Sequence, residues 1–454
     1  MHSKPNSNAD TPQKILVKPR VFFKQWKLAG NPAYFFDELT STFGDFIYYR
    51  GIFNFYFVNH PDLVKQILKD TNTFFDKNTL LYNRFRNVFG EGLVTAEGKS
   101  WEKQRQLIQP LFSPKAVKGF FDIMLSSTIK TADSWQTLAD DSSIFDVATQ
   151  MNHLTLEIAG RTLFNDDFSD ISDRVSHWTH TINHYSGQPP IPILSETWFP
   201  SPTNRKLNKV MSEFHHFISD MIKQRRNNNR SNDLLTTLIN ATNDDGSKMP
   251  DHQIEKEVLG MMIGGHETSS NALTWIWYEL HKNPAIENKL HKELQDVLGN
   301  QLPTLEDIPK LKYTRMIVDE ATRLHPPFWF ENRNTMEDIE MWGHTIPKGS
   351  TVAFSRYSLH RHPNIWEKPE EFNPERFDTT NPANKRSHYA HVPYGGGPRI
   401  CVGINFALLE LVVILATLSQ RFRLKTHSSH KNIMQALLTM EPKFGLPVTA
   451  ELRK

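Results

Sequence analysis

The chain's single thiol, Cys401, stands in an unusual setting. It closes the run Val392-Pro-Tyr-Gly-Gly-Gly-Pro-Arg-Ile-Cys401-Val-Gly403, in which three consecutive glycines and two prolines precede it. Ile404 to Leu418 follows at once and reads as a buried helix. A cysteine just before a helix N-terminus faces unpaired amides and the positive end of the helix dipole, both of which favour an anion. The thiol pKa falls, and the thiolate is the form that binds metal. Glycines let a backbone approach a flat partner closely, and Arg399 is placed to pair with an anionic group on such a partner. The plain alternative is a buried free cysteine, a common fate for this residue. Spacing alone leaves the two readings about even; the glycine run favours the first, because a core cysteine needs no permissive loop. One cysteine also rules out an intramolecular disulfide and a multi-cysteine metal site.

A second group lies in Gly264-Gly-His-Glu-Thr-Ser269. The spacing predicts a helix over Asp251–Asn283, with Asp251 able to cap it and Pro284 closing it. Val258, Leu259, Met261, Met262 and Ile263 make it apolar on several sides, hence central and buried. Two glycines in its middle cost roughly 1 kcal/mol each relative to Ala, and an acid and hydroxyls follow. Such local conflicts mark functional sites; the bland account is a helix whose hydroxyls bond back to the preceding turn. Glu320 and Arg323 share a helix face at i,i+3, which by itself describes a weak surface ion pair. Trp101 and Arg105 are one helical turn apart.

Together these segments resemble the cytochrome P-450 superfamily, from about Pro19 onward. Tyr394, Gly397, Arg399, Cys401 and Gly403 match its heme-binding signature, with Tyr where Phe is usual; the added hydroxyl needs a partner. The resemblance implies that Cys401 is the axial ligand of heme b and that Arg399 contacts the heme. Gly264 and Gly265 leave room above it. Thr268 hydrogen-bonds the oxygen being activated, and Glu267 relays protons. Glu320, Arg323 and Arg376, the last within Pro374-Glu-Arg-Phe377, form a buried structural triad. Trp101 and Arg105 meet one heme propionate and Arg333 the other. The implied activity is monooxygenation with dioxygen of a lipophilic substrate: first a medium- or long-chain fatty acid, second a terpenoid or sterol. A peroxide-driven peroxygenase and a non-enzymatic heme-thiolate sensor are the alternatives. Electrons, ultimately from NAD(P)H, come through a separate ferredoxin or flavodoxin-type partner and its reductase. Lys99, Lys103, Lys115, Lys118, Lys385 and Arg386 offer a basic face to an acidic carrier of this kind.

The elements that must position these residues are mostly helices, including Asn204–Asn227 and Pro284–Leu298. Phe46 to Asn59 suggests two strands joined near Gly51, and Phe354 lies on another. The expected fold is mainly α with a small β-rich lobe, the triangular prism of the resembled family. Residues 1–18 are expected to be a disordered tail and 19–454 a single heme domain. Aromatic and proline-rich loops at Phe74–Gly98 and His177–Thr203 are expected to cover an apolar pocket. The net charge of +2 over 454 residues argues against a nucleic-acid binder. The longest apolar stretch, Leu408–Leu418, is shorter than the roughly 20 residues a bilayer span needs. The polar N-terminus lacks a signal-peptide core. No membrane span and a cytoplasmic location are therefore expected.

Overall fold

The computed structural model describes residues 31–50, 54–188, 197–227, 233–242, 246–427 and 431–453. The expected N-terminal tail, the strand connection at Gly51 and part of the second expected loop lie outside the described residues. The chain is mainly α-helical with a smaller β-rich part. It divides into two compact units, each assembled from non-contiguous segments.

Of the described residues, the first unit holds 31–50, 54–83, 328–371 and 385–401. Helix α1, Pro32–Phe43, starts where the Asn31 side chain accepts from the Ala33 amide and Pro32 occupies its first turn, a pairing that suits a helix entry. Helix α2 is Pro61–Lys69. Strands β1 (Phe46–Arg50), β2 (Asn54–Val58), β3 (Phe75–Asp76), β4 (Phe330–Thr335) and β5 (Thr351–Ser355) make one sheet in the order β1-β2-β5-β4-β3. Only the β2–β5 pair is parallel, with Tyr56 opposite Val352. In the antiparallel β4–β5 pair Arg333 sits opposite Val352. Val58, Val64, Ile67, Phe75, Val352 and Phe354 pack into the core beneath the sheet. The predicted strands at Phe46–Asn59 and Phe354 are thus present.

The second unit holds the described residues within 84–327, 372–384 and 402–453. Its helices include α3 (Gly98–Ile108), α4 (Val147–Leu163), α5 (Ser172–Gly187), α6 (Pro202–Asn227), α7 (Asp251–Lys282), α8 (Lys312–Leu324) and α9 (Ile404–Arg421). Helix α7 packs chiefly on α4, and α9 on the helix Phe121–Asp140. At 32 residues α7 is about 48 Å long. A hairpin of β6 (Met434–Ala436) and β7 (Met440–Pro442) sets Gln435 opposite Glu441. Trp275 of α7 donates its indole N–H to the Met440 carbonyl at 3.2 Å. Gly187 lets the end of α5 reach this hairpin: a Cβ there would lie 2.4 Å from the Leu437 Cα.

Three expectations need correction. Asp251 does not cap α7; Pro250 holds the cap position without a side-chain hydrogen bond, and Asp251 pairs instead with Arg226 at 2.6 Å. The segment Phe74–Gly98 contains the helix Leu80–Phe89, and His177–Gly187 is the C-terminal part of α5. Both helices are rich in aromatic and polar residues, which blurred the 3.6-residue period. Among the described residues one helix, α9, is long and apolar enough to cross a membrane, but 67 % of it is buried in the fold.

Candidate functional site

In the first unit the thiol loop is tightly prescribed. Gly395 and Gly397 have φ of 74° and 63°, where an L side chain is strained. A Cβ at Gly397 would also lie 2.0 Å from the Leu68 carbonyl oxygen at the end of α2. The Cys401 amide donates to the Tyr394 carbonyl at 2.9 Å, drawing the loop into a closed turn. Cys401 itself is exposed. Arg399 donates to the Asn72 side-chain oxygen from Nε at 3.1 Å and from Nη2 at 2.9 Å.

Arg333 lies on β4 and is fully buried. It pairs with Glu331, which pairs in turn with Arg356. Its Nη1 also donates to the Tyr82 hydroxyl at 3.2 Å. Burial alone would raise the Glu331 carboxyl, but Arg333 and Arg356 outweigh it and hold the group at about 2. Burial would likewise lower Arg333, and Glu331 reverses that, leaving it raised. Sequence reading missed Glu331 and Arg356. Glu331 was detectable as the residue two before Arg333, on the same strand face. Arg356 was not, since only the sheet brings it there.

In the second unit, α7 runs unbroken through Gly264 and Gly265. Between buried neighbours, Gly264 is exposed and Gly265 and Thr268 are half-buried. A Cβ at Gly264 would meet nothing within 4 Å. A helix that is otherwise core thus opens one narrow face at its middle. The Thr268 hydroxyl donates to the Gly264 carbonyl at 2.9 Å; the bland back-bonding account is therefore met, and the hydroxyl oxygen keeps its acceptor capacity on that open face. Glu267 is buried. Its Oε1 accepts from the Thr439 hydroxyl at 2.6 Å, while its Oε2 has no hydrogen-bond partner among the described residues. Burial drives the carboxyl up to about 8, Glu441 adds to the rise and Thr439 opposes it. Glu267 therefore holds a proton at neutral pH. His266, fully buried on the opposite side, is pushed down to about 4 by burial and stays neutral.

The structure brings Glu320, Arg323 and Arg376 together. Arg323 and Glu320 on α8 are wholly buried, with Arg323 Nε and Nη2 at 2.6 and 2.8 Å from the carboxylate oxygens. Arg376 Nε lies 3.4 Å from Glu320 Oε1, and the Asn373 amide donates to the same oxygen at 2.7 Å. Trp101 and Arg105 lie on one face of α3, Trp101 buried and Arg105 half-buried. Arg105 Nε donates to Gln109 at 2.9 Å. Lys99, Lys103, Lys115 and Lys118 of this unit are exposed. Arg386 of the first unit is not a free surface charge: it stacks 4.5 Å from the Trp366 ring centroid.

Within the first unit, the thiol loop and Arg333 suit a flat anionic prosthetic group with its own metal. The thiol loop supplies one soft, exposed donor on a backbone that only glycine permits. The Nε of fully buried Arg333 has no acceptor among the described residues. The opening at Gly264 clears space beside a hydroxyl. Among the described residues no cluster of three or more His, Cys, Asp or Glu could hold a metal ion.

The family described as Cytochrome P450 matches residues 16–448, and the chain belongs to it. The chain is 30 % identical to pentalenene oxygenase of Streptomyces avermitilis, over 88 % of each sequence. It is 29 % identical to cyclooctat-9-en-7-ol 5-monooxygenase of Streptomyces melanosporofaciens, over 84 % of this chain and 83 % of the relative. It is also 29 % identical to the human ultra-long-chain fatty acid omega-hydroxylase, over 86 % of this chain and 78 % of the relative. Family members are monooxygenase oxidoreductases that carry heme and draw electrons from a redox partner.

Proposed function

We propose that this chain, as one heme domain from about residue 19 onward, hydroxylates a lipophilic substrate with dioxygen, and that Glu267 and Thr268 deliver the protons. The observation that carries this reading is a buried carboxyl, Glu267, next in the chain to a hydroxyl, Thr268, on the open mid-helix face of α7. Cys401 would hold heme b through its thiolate, and the bound group would supply electron push toward cleavage of the oxygen–oxygen bond. The overall balance takes the substrate C–H, one dioxygen, two electrons and two protons to the alcohol and one water. Glu267 releases its proton toward the open face. Thr268 holds the reacting oxygen by its hydroxyl, which must rotate away from the Gly264 carbonyl to do so. Arg399, Arg105 with Trp101, and Arg333 bind the anionic edge of the cofactor. Gly264 and Gly265 leave the space in which dioxygen is handled.

Electrons reach this chain, in the cytoplasm, from NAD(P)H through a ferredoxin or flavodoxin-type carrier and its reductase; the exposed lysines of α3 and of Pro114–Lys118 favour an acidic partner. A medium- or long-chain fatty acid is the first substrate class, in keeping with the name of the human relative. A terpenoid or sterol is the second, and the names of the two Streptomyces relatives support it. Titration with a panel of both, read as a spin-state shift of the heme band, decides between them. Cys401→Ala must abolish the strongly red-shifted Soret band of the reduced carbon monoxide adduct; its persistence refutes thiolate ligation. Thr268→Ala must divert electrons to peroxide. Turnover with added peroxide as fast as with reductase would overturn the dioxygen-dependent reading.

A further inference from the structure

Arg356 belongs to neither the thiol loop nor strand β4, yet it touches both. It opens the short helix Arg356–Leu359 that follows β5 and is buried. Its guanidinium donates in three directions: from Nε to the Val392 carbonyl at 2.8 Å, from Nη1 to the Phe328 carbonyl at 3.2 Å, and from Nη2 to the Glu331 carboxylate. The Phe328 and Phe354 rings flank the cation, each with its centroid at 5.3 Å. The Val392 carbonyl also accepts from the Gly395 amide at 3.0 Å, which closes a turn. A Cβ on Gly395 would lie 3.6 Å from Arg356 Nη2, so the guanidinium lies directly against that turn. One helical turn beyond Arg356, His360 Nε2 accepts from the Val392 amide at 3.0 Å. Both backbone polar groups of Val392 are thus held from outside the loop. The turn held in this way carries the Tyr394 carbonyl, which receives the Cys401 amide.

We propose that Arg356 is a positioning residue of the heme seat: it holds the turn that receives the Cys401 amide, and together with Glu331 it sets the fixed charge against which the iron takes up an electron. Neither residue touches the substrate. Arg333, Glu331 and Arg356 form one buried chain of alternating sign, two cations around one carboxylate, and so carry one net positive charge. Uptake of an electron makes the site more negative. A buried positive charge therefore favours the reduced form and a buried negative one opposes it, with little screening by salt. Groups outside the ligands tune a metal in this way by hydrogen bonding and charge. Arginine is required for both duties at once. Lysine keeps the charge, but as a compact point donor it cannot serve Val392, Phe328 and Glu331 along three separate directions.

The role of Arg356 rests on the reading of Cys401 as the heme ligand, and the tests keep the two apart. The holoprotein is titrated from ferric to ferrous in the presence of redox mediators, and heme absorbance gives the midpoint potential. Glu331→Gln should raise the midpoint and Arg356→Met should lower it, each by roughly a three- to tenfold change in the reduction equilibrium constant. Tenfold corresponds to about 59 mV for one electron. Arg356→Gln keeps an amide donor and should lower the midpoint as Met does, so it serves if the Met variant folds poorly. Arg356→Lys should keep the parent midpoint but melt at a lower temperature, because the charge stays while the hold on the turn is lost. Glu331→Gln combined with Arg356→Met removes one charge of each sign and should return the midpoint to near the parent value. A purely structural brace predicts the opposite for the last two, a Lys variant and a double variant displaced as far as Arg356→Met. That result, parent midpoints in Glu331→Gln and in the neutral Arg356 variants, or shifts of the same sign in both overturns the assignment. In that event, a red-shifted carbon monoxide band that is present in the parent and lost in Cys401→Ala leaves thiolate ligation standing.

Discussion

Replacing Glu320 by Ala tests the triad on α8 directly. Glu320 and Arg323 are 0 % exposed and Arg376 is 6 % exposed. The substitution leaves two guanidiniums in the interior without their shared carboxylate and strips the Asn373 amide of its acceptor. Removing one partner of a buried ion pair costs about 3–5 kcal/mol, against a total stability of about 5–15 kcal/mol for a folded domain. At 1.4 kcal/mol per factor of ten, the unfolded fraction rises at least about a hundredfold. Urea unfolding followed by far-ultraviolet circular dichroism and by tryptophan fluorescence measures the loss. Glu320→Gln keeps the shape and one acceptor, so its cost should fall between those of the parent and Ala. Replacing all three residues by Met removes the desolvation cost along with the charges and should recover most of the stability. A loss below about 1 kcal/mol in Glu320→Ala would refute the reasoning, because it would mean that solvent reaches the arginines.

Gly397→Ala combines a positive φ with a Cβ 2.0 Å from the Leu68 oxygen; a loss of at least about 1–3 kcal/mol is expected, visible as a lower melting temperature and faster alkylation of Cys401. Glu410, fully buried in α9, is raised to about 8 by burial, with Ser269 opposing. Its folded form binds a proton more tightly than the unfolded chain, so its contribution is complete below the ordinary glutamate value of 4.5 and is lost as pH rises through about 8. Glu410→Gln should therefore gain on the parent across that window, and a constant gap from pH 5 to 9 would contradict it. Glu331 has the opposite sign: held at about 2, it stabilises above pH 4.5 and loses that contribution as pH falls toward 2. Glu331→Gln should cost about 3–5 kcal/mol at pH 7 and much less in acid, read from thermal melts at both pH values.

The sequence by itself determined the chemistry's vocabulary. Cys401, the glycines before it, the Gly264–Ser269 run and the Glu320–Arg323 spacing are local patterns, and each pattern is carried by residues close enough along the chain to read together. The long helix at Asp251 and the helix Pro284–Leu298 were legible for the same reason, since proline punctuation and apolar periodicity are local. The tertiary structure alone decided which charges meet. Arg356 reaches Glu331 only because β5 lies beside β4, and Arg376 reaches Glu320 from 56 residues further along the chain. Glu441 meets the surroundings of Glu267 only because a hairpin folds back onto α7. The proton state of Glu267 follows from that same burial, because the cost of desolvating a charge depends on everything packed around it and on nothing in the neighbouring letters of the sequence.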